Sequence, residues 1–178
     1  MQNIIKILLL SFTVLIFSNC KHNQSLQQFM VAHEDVENVY AFDISNNILK
    51  LNDEFQTEEN KKVLSTIKKA NVMAYRIKDN NNTTYKNDLE SIREILSDDK
   101  YVPLMSMGKG SKGVKVYAIG EEDTIDELIV LGNDHETGWI IVRVLGNKMQ
   151  PEKIMSLASN FDLEGSDLPI KELEDFIK

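Results

Sequence analysis

Cysteine occurs once in this chain of 178 residues, at position 20, and proline only three times. A lone thiol has no partner for an internal disulfide and cannot build a cysteine zinc site, so the fold must be held by its hydrophobic core. Basic residues are also in short supply, with 20 Lys and Arg against 28 Asp and Glu and a formal charge of -8. A chain this acidic repels phosphate backbones and anionic headgroups, which excludes nucleic acid as a partner. The apolar run near the start contains Lys6 and stays short of the roughly 18 to 20 residues a spanning helix needs, so a retained membrane span is the weaker account of it. No repeat, low-complexity segment or interdomain linker breaks the remainder, and its length suits one ordinary domain.

The start of the chain carries a specific signal. A positive tip with Lys6 is followed by an apolar stretch over 7–17, then Ser18, Asn19 and Cys20, which is the layout of a secretory signal peptide. Phe17-Ser18-Asn19-Cys20 resembles a bacterial lipobox, although Phe17 and Asn19 are looser than its preferred Leu and Gly or Ala. The resemblance implies cleavage before Cys20 and acylation of its thiol, giving a signal peptide over 1–19 and a lipidated tether over 20–24. An acylated thiol cannot serve as a nucleophile, so thiol catalysis is excluded as well. Two or more acyl chains hold a protein stably, since each buried methylene contributes about 0.8 kcal/mol. Loss of Lys6, the one charged side chain before Cys20, takes the formal charge to -9. At about 3.5 Å per residue the tether reaches less than roughly 20 Å, so the domain sits close to its membrane.

Patterning along 25–161 gives the order α-β-α-β-α-β-β-β-β-α. Ser25 caps a helix running toward Asn38 with Leu26, Phe29, Met30 and His33 on one side, and a strand follows over 39–44. Thr57, Glu58 and Glu59 start a helix whose apolar stripe is Val63, Leu64, Ile67 and Ala70, followed by a strand over 72–77. Asp79 to Asn82 break the pattern before a helix bearing Tyr85, Leu89, Ile92 and Leu96. Strands over 101–107, 114–119, 125–131 and 139–145 are joined by short polar or glycine-containing turns, the mark of an antiparallel meander. Pro151 opens a helix with Ile154, Leu157, Ala158 and Phe161, and Pro169 opens an amphipathic tail in the extension 162–178. The class is α+β, with helices packed on a mixed, largely antiparallel sheet. Alternation puts Val114, Val116 and Ala118 opposite Tyr117 and Ile119, and Trp139 and Ile141 opposite Ile140 and Val142, so both sheet faces are apolar and both need cover.

The lipobox-like run, Val39-Tyr40-Ala41-Phe42-Asp43-Ile44-Ser45 with Ile48-Leu49-Lys50-Leu51, and Asp126-Glu127 before Leu128-Ile129-Val130 together resemble the domain of unknown function 4252 family of Bacteroidota lipoproteins. The likeness covers about 25–161. It implies an α+β domain in the cell envelope and brings no catalytic residues. Some lipoproteins of that group carry an acidic export signal just after the cysteine; Lys21 and His22 stand there in this chain, so the expected location is the outer membrane facing the periplasm.

Chemical motifs are sparse. His22, His33 and His135 fall in the tether, a helix and a turn, without further ligands at metal spacing, so no metal and no cofactor is expected. Gly108-Lys109-Gly110-Ser111-Lys112-Gly113 leads into a strand instead of a helix, which suits a hairpin loop and not a phosphate cradle. Glu121, Glu122, Asp123, Asp126 and Glu127 lack calcium-loop spacing and are expected to form a charged turn. No Gly-x-Ser-x-Gly elbow presents a serine. Asp123-Thr124-Ile125 resembles the acceptor of Bacteroidota periplasmic O-glycosylation, which makes Thr124 a candidate modification site. Catalytic residues are none and ligand-binding residues stay open. The expected role is that of a non-enzymatic, membrane-tethered interaction or accessory module with an envelope protein partner; the alternative is a carrier or sensor of an apolar small ligand.

Two outcomes follow from these motifs. Cys20→Ser should move the protein from the membrane pellet to the soluble fraction after a high-salt wash, because no other segment has the length or basic amphipathic character to hold it. Intact mass should be higher from the native host than from a recombinant one, and Thr124→Ala should abolish the difference.

Overall fold

The computed structural model describes residues 24–78, 82–109, 111–121 and 123–160. Residues 1–23, which include the expected signal peptide, Cys20 and His22, and the residues after Asn160, which include Phe161 and the expected extension 162–178, lie outside the described residues.

Helix α1 (Leu26–His33) begins with a capping box. Ser25 Oγ accepts from the amide of Gln28 at 3.2 Å while Gln28 Oε1 accepts from the amide of Ser25 at 2.8 Å. It stops well short of Asn38, because 34–38 form turns in which Asn38 takes a left-handed φ of 64° that turns the chain into β1 (Val39–Ser45). A 3-10 turn (Asp53–Phe55) precedes α2 (Glu58–Ser65), capped by Thr57. β2 (Ile67–Arg76) starts five residues earlier than the pattern suggests. Ile67 and Ala70 therefore belong to a strand and not to the apolar stripe of α2. Their spacing fits a helix, yet Thr66 ends the helix by donating Oγ1–H to Val63 O at 2.7 Å, and the strand Gly138–Met149 captures the following residues in its ladder. α3 (Asn82–Ile95) leads into β3 (Val102–Lys109), β4 (Lys112–Gly120), β5 (Ile125–Asp134) and β6 (Gly138–Met149). α4 (Pro151–Leu157) and a closing 3-10 turn (Ala158–Asn160) complete the described chain. Ala158, expected on the buried side, is exposed there.

The strands form one six-stranded sheet in the order β1-β2-β6-β5-β4-β3, and every pairing is antiparallel. The α+β class and the element order agree with the sequence pattern. So does the alternation: Met73, Tyr75, Trp139, Ile141, Ile129 and Leu131 point to one face, beneath Leu26, Phe29 and Met30 of α1 and Tyr85, Leu89 and Ile92 of α3. On the opposite face Val116, Ala118 and Leu128 meet Val63 of α2 and Ile154 and Leu157 of α4. Cover on this second face is partial: Phe42, Ile140, Val142, Val130 and Val114 remain only half-buried.

The turn into the last strand has no room for a side chain. Gly138 opens β6 at φ 137°, and a Cβ there would lie 1.9 Å from the Tyr75 carbonyl oxygen. Gly132→Ala would meet only the Ile140 side chain, at 2.8 Å. Gly138→Ala should therefore cost about 2 kcal/mol or more in a urea titration, clearly exceeding the loss for Gly132→Ala, where a half-buried side chain can give way.

Candidate functional site

The outer strand β3 is the most unusual surface of the domain. It pairs with β4 on one side only, and nearly all its residues are exposed. Val102, Leu104 and Met107 are 48 %, 43 % and 61 % exposed, which is unfavourable for apolar side chains unless something covers them. The charge is equally distinctive. From Lys100 to Gly120 the chain has four lysines and no acid, although the whole molecule is strongly acidic. Lys100, Lys109, Lys112 and Lys115 are all exposed; Lys112 is held by Asp134 at 2.8 Å, which raises the pKa of the ammonium and lowers that of the carboxyl. Gly108, at φ 122°, lies opposite Gly113 in the hairpin, where backbone would collide with any Cβ. The glycine-rich segment is thus a strand connection, as its sequence context suggests.

His135 approaches Ser111 across the same end of the sheet, with Nδ1 2.8 Å from Ser111 Oγ. The pair borders an open groove of about 910 Å³ between α3 and the hairpin, lined also by Tyr85, Arg93 and Asn133. His135 Nε2 is 3.9 Å from Glu136, too far for a hydrogen bond, so Glu136 does not hold the ring as the acid of a triad would. Among the described residues no group of three or more His, Cys, Asp and Glu could hold a metal ion.

His33 does something the sequence does not reveal. Stacked on Phe29 with centroids 3.9 Å apart, it places Nδ1 2.8 Å from Phe29 O and Nε2 3.4 Å from Asp88 of α3. Asp88 in turn accepts from the indole N–H of Trp139 at 3.3 Å, and it is only 7 % exposed. Burial raises the Asp88 pKa, opposed by His33 and by the indole hydrogen bond. The apolar spacing of α3 gives no hint that a carboxyl lies on its buried side. A second polar group is equally hidden in the pattern: Glu127, expected in a charged turn, is buried in β5 and takes a forked ion pair from Arg143 at 2.5 and 2.8 Å. The β5 register carries it inward, away from exposed Asp126. Thr124 does fall in the β4–β5 connection, but it is half-buried, and its carbonyl accepts from the Glu121 amide at 2.9 Å.

These features define an α+β domain with a single antiparallel sheet, helices on both faces and one cationic, apolar edge. The chain belongs to the family described as Domain of unknown function (DUF4252), whose model matches residues 29–157. No curated protein and no solved structure matches it.

Asp88 provides a pH test. Its pKa is raised in the fold, so its contribution to stability is full below the ordinary carboxyl pKa and is lost as pH rises through the raised value. Asp88→Asn keeps an acceptor for Trp139 and a polar group beside His33 Nε2, and it removes the charge. The Tm difference between variant and parent should therefore become more favourable to Asp88→Asn from mildly acidic pH to neutrality, as followed by circular dichroism.

Proposed function

We propose that this protein is a lipid-anchored envelope module that works by contact, and that its partner adds an extended segment along β3. The observation that carries this reading is the apolar strand at the edge of the sheet of described residues, set in a stretch of an acidic chain, Lys100 to Gly120, that holds four lysines and no acid. An unpaired edge offers a row of amides and carbonyls to another strand, while side-chain pockets supply selectivity. Charge complementarity selects a partner segment in which apolar residues alternate with acids, and such a partner is steered to the hairpin more strongly at low salt. Pro103 lacks an amide hydrogen and the lysines repel one another, which discourages a second copy of this edge from pairing there. The Cys20 anchor would keep the domain near the bilayer, so the partner belongs to the same envelope face.

The test is photo-crosslinking in membranes of the native host. A crosslinker at Met107 should yield one discrete protein product that a crosslinker at exposed Asn87 on α3 does not. Leu104→Glu, and separately Lys109→Glu with Lys115→Glu, should remove the product while circular dichroism stays unchanged. Equal labelling from both positions, or a product insensitive to these changes, would overturn the reading. Retention of a small mass by the full chain in native mass spectrometry would favour the carrier of an apolar ligand instead.

A further inference from the structure

We infer that the extension 162–178 folds back as an amphipathic helix over the half-covered second face of the sheet and closes it across β1, β2, β6 and β5. Ile140 and Val142 point to this face from β6, an inner strand, yet both are only half-buried. Trp139 and Ile141, which alternate with them toward the first face, are fully buried. One strand thus has a complete cover on one side and an incomplete one on the other.

Register sets the open patch out in rows. Phe42, Val72, Val142 and Val130 lie side by side across β1, β2, β6 and β5, and Tyr40, Ala74, Ile140 and Gly132 form the next row. One row further out the residues turn polar, running through Arg76, Gly138, Asp134, Lys112 and Lys109. An apolar patch with a charged rim marks a surface that something covers.

The place where the described chain ends names the occupant. In the closing turn after α4, Asn160 O accepts from the Asn52 amide at 3.0 Å. Leu49, three residues before Asn52, packs against the cluster that holds Ile154 and Leu157 and also against the Ile44, Ala70 and Val72 cluster, which Phe42, Ile140 and Val142 adjoin. The chain therefore continues from the border between the covered and open halves of this face.

Its sequence suits the patch. Ile170, Leu173, Phe176 and Ile177 recur at spacings of three and four, which gather them on one side of a helix opened by Pro169. A helix over 169–178 is about 15 Å long, the breadth of four strands about 4.8 Å apart. The preceding 161–168 can bridge up to about 26 Å, ample to set it there. Six acids against two lysines in 161–178 complement the cations of the rim. A membrane surface is the poorer match, because helices that lie there carry basic polar faces, and anionic headgroups repel an acidic one.

The experiment uses the full-length protein in phospholipid nanodiscs. A benzophenone photo-crosslinker in place of Phe176 should give a product of monomer size on a denaturing gel, with the extension joined to a peptide holding residues 40–44 or 138–144. Amides of 170–177 should exchange with solvent about tenfold or more slowly than in a free chain. Leu173→Asp should remove the crosslink and return those amides to free-chain rates, whereas Lys171→Ser with Asp175→Ser, on the polar side, should change neither. Val142→Glu should act like Leu173→Asp from the sheet side; should it fail to fold, Leu173→Asp, which lies outside the sheet, still decides. A crosslink to lipid, to a second copy or to any other part of the chain, or amides of 170–177 that exchange at free-chain rates, would overturn the proposal.

Discussion

The pairing of β6 with β2 on one side and β5 on the other is the constraint on which the structure depends. Its twelve residues carry Trp139 and Ile141 to one face and Ile140, Val142 and Val144 to the other, so the sheet is apolar on both sides. Such a sheet is stable only between two covers. α1 and α3 supply one in full, converging on the fully buried Trp139, which lies 5.9 Å from Phe29 and 6.1 Å from Tyr75 between ring centroids. α2 and α4, joined by Lys153 and Glu59 at 2.9 Å, supply the other only over one end.

Polar groups enter this apolar frame at three places, and their satisfaction differs. Asp88 is solvated by His33 and the Trp139 indole, an arrangement that ties α1, α3 and β6 together. Glu127 and Arg143 satisfy one another in a fork, with Gln27 of α1 accepting from the guanidinium as well. Removing one member of such a buried pair leaves a charge without compensation, a loss of about 3 to 5 kcal/mol, even where the pair as a whole adds little. Among the described residues, Asn71 Oδ1 is the one buried side-chain polar atom without a hydrogen-bond partner.

Charge is distributed as unevenly as polarity. Acids dominate the chain, yet the β3–β4 hairpin and its approach are purely basic over twenty residues, and the exposed apolar side chains Val102, Leu104 and Met107 lie within that stretch. Coincidence of an edge strand, apolar side chains and a local charge opposite to the overall one is the physical basis for the proposal of a contact surface there. β1 and β3 are the two edge strands of the six-stranded sheet, with four strands between them.

Much of this architecture is legible in the sequence because it rests on local rules. Ser25 with Gln28 and Thr57 with Glu58 mark helix starts, Pro151 opens α4, and strict alternation in 114–119 and 139–145 fixes which side chains share a face. The lipobox-like run ending at Cys20 is likewise a linear motif, fully written in order along the chain. Where local rules conflict, pairing decides. Ile67 and Ala70 obey helical spacing but join β2, since ladder bonds to β6 outweigh the continuation of a short helix already closed by Thr66. The sequence by itself determined the class, the element order, the face alternation and the candidate anchor. Only the tertiary structure decided that Glu127 turns inward to Arg143, that His33 reaches Asp88 fifty-five residues away, that β3 is an edge, and that Asn71 is left with a free acceptor. Each of these depends on strand order and register between segments distant in sequence, and periodicity within a single segment carries no information about its neighbour.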